Sequence, residues 1–246
     1  MRLAQVLFSQ GFGSRRECLA RIVDGQVSIA GQVHDDPDEE LDTAGLVFQV
    51  QGRDWPYHER ALVMLHKPAG YECSMKPRHH PSVMSLLPLP LRVRGLQPVG
   101  RLDEDTTGLL LLTDDGGLIH RLTSPKHHVP KLYEVLCKHP VDERQRKALL
   151  AGVVLDDDPR PVAALAATLT GACSLQLTLE QGRYHQVKRM LAAVGNRVEG
   201  LHRSAFGGVV LPADLAVGDW CWLDAQRAFA AGNAVASTTA TTDPSR

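Results

Sequence analysis

Three carboxylates, Asp103, Glu104 and Asp105, stand directly before four leucines, Leu109 to Leu112, in the segment GRLDEDTTGLLLLTDDG. A buried strand wants apolar neighbours. A carboxylate at its mouth must be solvated, paired, or used in chemistry. The residue types also suit a plain turn, and the DxDxxG spacing hints at a cation loop. That loop lacks the further oxygen ligands and closing glutamate of a calcium hand. A single aspartate in this place can serve as a nucleophile or a general base.

Other chemistries find no purchase. The chain has no GxxxxGK[ST] loop, no HExxH and no GxSxG. The pairs His79-His80 and His127-His128 lack helical ligand spacing, so no metal site is expected. The five cysteines are scattered without a CxxC pair, which argues against a zinc ribbon or a disulfide framework. No apolar run approaches the ~20 residues of a membrane span, and the start lacks a signal-peptide core. These features predict a soluble cytoplasmic protein with no membrane partner.

The 246 residues are 43% hydrophobic, enough for a sizeable core. A formal net charge of −1 gives no global attraction to nucleic acid, so such a partner would need local patches. Residues 61–140 carry ten Lys and Arg against seven Asp and Glu, and residues 181–210 carry five against one. Residues 1–60 run the other way, six against ten.

The elements that must position Asp103 can be read in outline. Leu3, Val6 and Leu7 have helical spacing, with Gly11 as the stop. SRRE from Ser14 is a capping box for a second helix whose predicted buried face is Leu19, Ile22 and Val23. VSIAGQV alternates as a short hairpin, and LVFQV reads as a strand. Residues 51–60 read as a linker, and RHHPSVMSLLPLPLRVRGLQPV as a long surface loop. Strands are predicted at 109–113, 132–137 and 174–179, and helices at 117–123, 142–151 and 184–194. The mixture lacks βαβ alternation, so an α+β fold with a mainly antiparallel sheet flanked by helices is expected. The domains are expected at 1–58 and 59–229, with a disordered tail at 230–246.

Four spaced segments then carry a resemblance. LHKPAGYECS, GRLDEDTTGLLLLTDDG, TSPKHHVPKLYEV and GRYHQVKRMLAAVGNRVEGLHR, in that order, resemble the motifs of bacterial ribosomal-RNA pseudouridine synthases, specifically the RsuA branch. The helix-helix-hairpin start is similar to the αL RNA-binding module that this branch carries. The likeness covers roughly residues 1–225. It implies an isomerase that converts uridine to pseudouridine in ribosomal RNA without cofactor or metal. It assigns Asp103 as the catalytic carboxylate, Tyr133 as the ring that packs on the target base, and Arg183 as the cation paired with Asp103.

The target base must be flipped into the pocket, and its flanking phosphates need cations. The expected RNA contacts are Arg2, Arg15, Arg16 and Arg21 in the module, and Arg101, His185, Gln186, Lys188, Arg189, Arg197 and Arg203 in the catalytic half. Tyr184-His185 and Leu201-His202-Arg203 resemble the 16S rather than the 23S branch. The implied partner is therefore 16S rRNA, in a partly assembled small subunit, acted on by a monomer. The competing readings are a 23S enzyme, a non-catalytic RNA-binding assembly factor, and a metal-dependent nuclease built on Asp103, Asp105, Asp114 and Asp115.

Overall fold

The computed structural model describes residues 1–156 and 158–229. The described chain falls into two compact units, one of residues 1–61 with 84–97, the other of residues 62–83 and 98 onward.

The first unit opens with helices Leu3–Ser9 and Arg15–Val23. Ser14 and Glu17 form the capping box on the second helix, each satisfying the other's backbone N–H. Leu3, Val6 and Leu7 are fully buried. The second helix corrects the sequence reading. It buries Cys18 and Ile22, while Leu19 and Val23 are exposed, because the packed stripe lies one residue back from the predicted one. The strands follow the order Gln32–Val33, Val27–Ile29, Val47–Val50, Arg53–Pro56. Ala30 and Gly31 take positive φ in the hairpin turn, as a tight two-residue hairpin demands.

Two further segments differ from their sequence reading. Residues 53–56 are a strand and not a linker. They return along Val47–Val50 through Gln51-Gly52, both at positive φ, and put Trp55 edge-on to Phe12. The proline-rich stretch contains a 3-10 turn at Val83–Leu86 and a helix at Leu89–Arg94. That helix is held in the first unit by Arg94, which donates to Gln10 Oε1 (2.6 Å) and to the His58 carbonyl (2.6 Å). The missed signal is Pro88-Leu89-Pro90, where prolines open the helix instead of breaking it.

The second unit is an α+β domain around one twisted sheet. Its strands lie in the order Ala166–Gly171, Ser174–Leu179, Lys131–Cys137, Val198–Phe206, Thr107–Thr113, Leu62–Lys67, Trp220–Trp222. Their pairings are antiparallel except that between Val198–Phe206 and Thr107–Thr113, which is parallel. Leu109 to Leu112 are fully buried, so this central strand is covered on both faces. Helix Gly116–Thr123, capped by Asp115 on the Leu118 N–H, packs Leu118 and Leu122 against Leu109, Leu111, Met64 and Phe206. Helices Glu143–Ala151 and Gln186–Ala193 complete the flanking layer. At Gly108 a Cβ would sit 2.3 Å from the Arg203 carbonyl oxygen, so only glycine admits the close parallel approach.

Among the described residues no helix is long and apolar enough to cross a membrane. The expectation for residues 230–246 lies outside the described residues.

Candidate active site

Asp103 lies in the loop that leads into the central strand, and the loop is held from inside. Lys67 ends the neighbouring strand and is fully buried. Its ammonium donates to the carbonyls of Pro68 (3.0 Å), Glu104 (3.0 Å) and Thr106 (2.8 Å). Burial pulls the Lys67 pKa down, against the opposing pull of Cys73 and the loop carboxylates. The Gly70 N–H also donates to Glu104 O, and Leu102 N–H to the Cys73 sulfur. One buried cation thus fixes the backbone on both sides of Asp105. Sequence reasoning gave Lys67 no role. The available signal was a lysine two residues past the apolar run LVML, in the segment LVMLHK.

Two side chains from the start of helix Gln186–Ala193 meet the carboxylate. Lys188 Nζ is 3.2 Å from Asp103 Oδ2, and His185 Nε2 is 3.3 Å from Oδ1. His185 is the N-cap and Lys188 lies three residues on, so they share one helix face. Lys188 also donates to both Asp105 oxygens, at 2.7 and 2.8 Å. Burial would push the Asp105 carboxyl up, but the Lys188 bond and charge outweigh it and hold the carboxyl below its ordinary value. Burial likewise opposes the Lys188 charge, and Asp105 and Asp103 together raise its pKa.

These groups line a cavity of about 920 Å³ together with Tyr133, Arg183, Arg101, Lys131 and Arg203. Tyr133 is 8% exposed on strand Lys131–Cys137, in register with Arg203 across the pairing. Lys131 donates to the carbonyls of Val129 and Glu180. Burial and the Arg203 charge bring its pKa down to about 8, against the pull of Glu180. The mouth carries the Arg78-His79-His80 loop. Glu72 accepts all three of its backbone N–H groups, at 3.1, 2.8 and 3.0 Å.

The structure brings Asp103, Tyr133 and Arg183 to one cavity. Arg183 donates through Nε to Gln181 Oε1 (3.1 Å) and through its backbone N–H to Gln186 Oε1 (2.9 Å). The expected phosphate contacts divide. Arg2, Arg15, Arg16, Arg101 and Arg197 are exposed, and Arg21, His185, Lys188 and Arg189 are half-buried. Two are corrected. Gln186 is 5% exposed, its amide used to cap the turn at Arg183. Arg203 is 2% exposed, with Nε on the Leu109 carbonyl and its guanidinium over Phe206. Lys188 is also redirected, since its ammonium is engaged by two carboxylates. Of the four nuclease candidates, Asp115 is committed to capping a helix and Asp105 to Lys188.

The model for the RNA pseudouridylate synthase family matches residues 61–193, and the S4 domain model matches residues 1–47. Ribosomal small subunit pseudouridine synthase A of Yersinia pestis is 38% identical over 227 residues, spanning 89% of this chain and 93% of that protein. The protein of the same name from Escherichia coli K12 is 44% identical over 163 residues, covering 66% and 70% of the two chains. A crystal structure of a pseudouridylate synthase superimposes with a TM-score of 0.66 at 34% identity, covering 93% of this chain and 98% of that one.

Proposed function

The chain belongs to the RNA pseudouridylate synthase family, and we propose that it isomerises one uridine of 16S ribosomal RNA to pseudouridine, with Asp103 as the catalytic carboxylate. The observation that carries this reading is the ion pair of Asp103 with Lys188 at the edge of a cavity lined by Tyr133.

The reaction breaks the bond from ribose C1′ to uracil N1, turns the base, joins C1′ to C5, and moves the C5 proton away. Reactant and product have the same atoms and oxidation state, so the step asks for no redox partner or energy source. A carboxylate kept ionised can attack C1′ or take a proton from the ribose. A nearby cation favours the charged form when the site closes and water leaves. We assign that role to Lys188, which lies against Asp103, in place of the Arg183 implied by sequence resemblance. Tyr133, buried in the cavity wall, offers an aromatic face to hold the detached uracil while it rotates. The mouth, where the Arg78 and Arg101 guanidinium groups stand beside the imidazoles of His79 and His80, suits the phosphates flanking a flipped nucleotide.

The S4 domain, with its exposed arginines Arg2, Arg15 and Arg16, docks the RNA and takes no part in chemistry. The small-subunit target is supported by the names of the relatives and by the Tyr184-His185 pair. The test is to incubate the protein with unmodified 16S and 23S rRNA, free and in partly assembled subunits, and to map pseudouridine by carbodiimide adducts and primer extension. One new stop in 16S is expected. A stop only in 23S overturns the target, and none in either RNA overturns the enzyme in favour of a binding factor.

A further inference from the structure

Tyr184 is 73% exposed, yet its ring is not loose. It stacks on His185 with centroids 3.8 Å apart and planes inclined by 17°. His185 in turn places Nε2 3.3 Å from Asp103 Oδ1. Asp103, His185 and Tyr184 therefore form three successive layers, running from the reacting carboxylate outward to solvent. Both aromatic residues line the cavity.

The arrangement is held against a local cost. His185 has φ +47° and ψ 34°, a left-handed conformation that a residue with a Cβ rarely adopts. The backbone around it is pinned. Arg189 donates from Nη1 to the Tyr184 carbonyl (3.2 Å), and its N–H donates to the His185 carbonyl (2.9 Å). A strained residue fixed from several sides beside a functional carboxylate points to a geometry that serves the site. One face of the Tyr184 ring is covered by His185, so its exposure comes from the outer face and edge.

We propose that Tyr184 is a stacking platform for the base next to the flipped uridine, and so a residue that positions and selects the RNA. This rests on the pseudouridine synthase reading above. Flipping removes a base from its stack and strips the neighbouring base of a partner. An aromatic ring at the mouth replaces that partner, and stacking of this kind recognises unpaired bases throughout single-stranded RNA binding. Tyr133 lies inside the cavity and is suited to the flipped uracil itself. Tyr184 is one layer further out, separated from Asp103 by the imidazole. The spacing matches a neighbouring nucleotide and not the reacting one.

The test uses the full chain and an RNA hairpin carrying the mapped uridine. A fluorescent aminopurine, quenched by stacking changes on binding, replaces the nucleotide on its 5′ or 3′ side. Pseudouridine formation and fluorescence are measured for wild type, Tyr184→Ala, Tyr184→Phe and Tyr184→Trp. Tyr184→Ala is expected to raise KM by about tenfold or more, with kcat at saturation near wild type, and to abolish the fluorescence response at one flanking position. The Phe and Trp variants should retain both. Wild-type product together with unchanged KM and fluorescence in Tyr184→Ala overturns this inference and leaves the enzyme reading intact. No product from the wild type, on this hairpin or on whole rRNA, overturns the enzyme reading itself.

Discussion

The ammonium of Lys188 lies 3.2 Å from Oδ2 of Asp103, a pairing of a helix residue with a residue of a loop between two strands. Asp103 enters from the loop before the central strand, and Lys188 from the first turn of helix Gln186–Ala193. Their meeting turns a solvated acidic turn into a charged site with a defined orientation.

Asp103→Asn should leave RNA affinity within about threefold and remove turnover, because the shape stays and the charge goes. Lys188→Met should lower kcat about a hundredfold, equivalent to about 3 kcal/mol of barrier. Lys188→Arg should recover part of this. Arg183→Met run beside it decides the assignment. A smaller loss than in Lys188→Met keeps the role on Lys188, and a larger one returns it to Arg183. Single-turnover rates on saturating RNA provide the readout.

Asp105→Asn should cost activity less than about fivefold, because Lys188 keeps Asp103 as its partner. Loss of the second carboxylate should also lower the Lys188 pKa, since Asp105 helps to raise it. A pH-rate profile of the variant tests this. The high-pH limb, where Lys188 loses its proton, should move to lower pH than in wild type. An unmoved limb would count against Lys188 as the controlling group.

Lys67→Met removes the shared donor of three inward carbonyls, of which that of Glu104 keeps the Gly70 N–H. Each unsatisfied buried group costs about 1–3 kcal/mol, so the variant should unfold at lower denaturant and turn over slowly. A positioning role predicts a fall in kcat with KM nearly constant at temperatures where the variant remains folded. A change confined to KM would contradict it.

The Lys131 pKa of about 8 makes stability depend on pH. Its folded value lies below the ordinary 10.5. Between these values the unfolded chain binds the proton and the folded chain does not. Stability from this residue therefore rises with pH from about 8 to about 10.5, by about 3 kcal/mol in all, and is flat below 8. Unfolding free energies of wild type and Lys131→Met across that window should converge toward, or cross in favour of, the wild type as pH rises. A constant difference would contradict the shift.

Charge reversal of Arg15 and Arg16 should raise KM and flatten the salt dependence of RNA binding, while kcat stays within about twofold. Filter binding across a salt series measures both slopes.

Much of this arrangement was legible in local sequence. The capping box at Ser14, the positive-φ pair Ala30-Gly31 and the Leu109–Leu112 run act within a few residues, and their structures match. The Leu89–Arg94 helix was not legible, because a proline at the first turn reads as a breaker unless the partner of Arg94 is known. At the site, motif order brought Asp103, Tyr133 and Arg183 to one cavity. Lys188 looked like one more surface cation, since even the nearer of its two carboxylate partners, Asp105, is 83 residues away in sequence. The burial of Arg203 was hidden for the same reason. Its type suggests solvent, and only the sheet register shows that it lies at the centre.

The parallel junction beside Gly108 has a consequence for how the protein is made. Thr107 and His202 hydrogen-bond there across 95 intervening steps of chain, a high-contact-order pairing that slows folding. Asp103 and Tyr133 leave the ribosome long before the Val198–Phe206 strand, which seats between the strand of Tyr133 and the strand that the Asp103 loop leads into. A nascent chain stalled just past Lys188 would hold all the proposed catalytic side chains and lack the strand that joins the two halves of the sheet. The sheet that carries Tyr133 and the loop of Asp103 is therefore joined only after the Val198–Phe206 strand has been made.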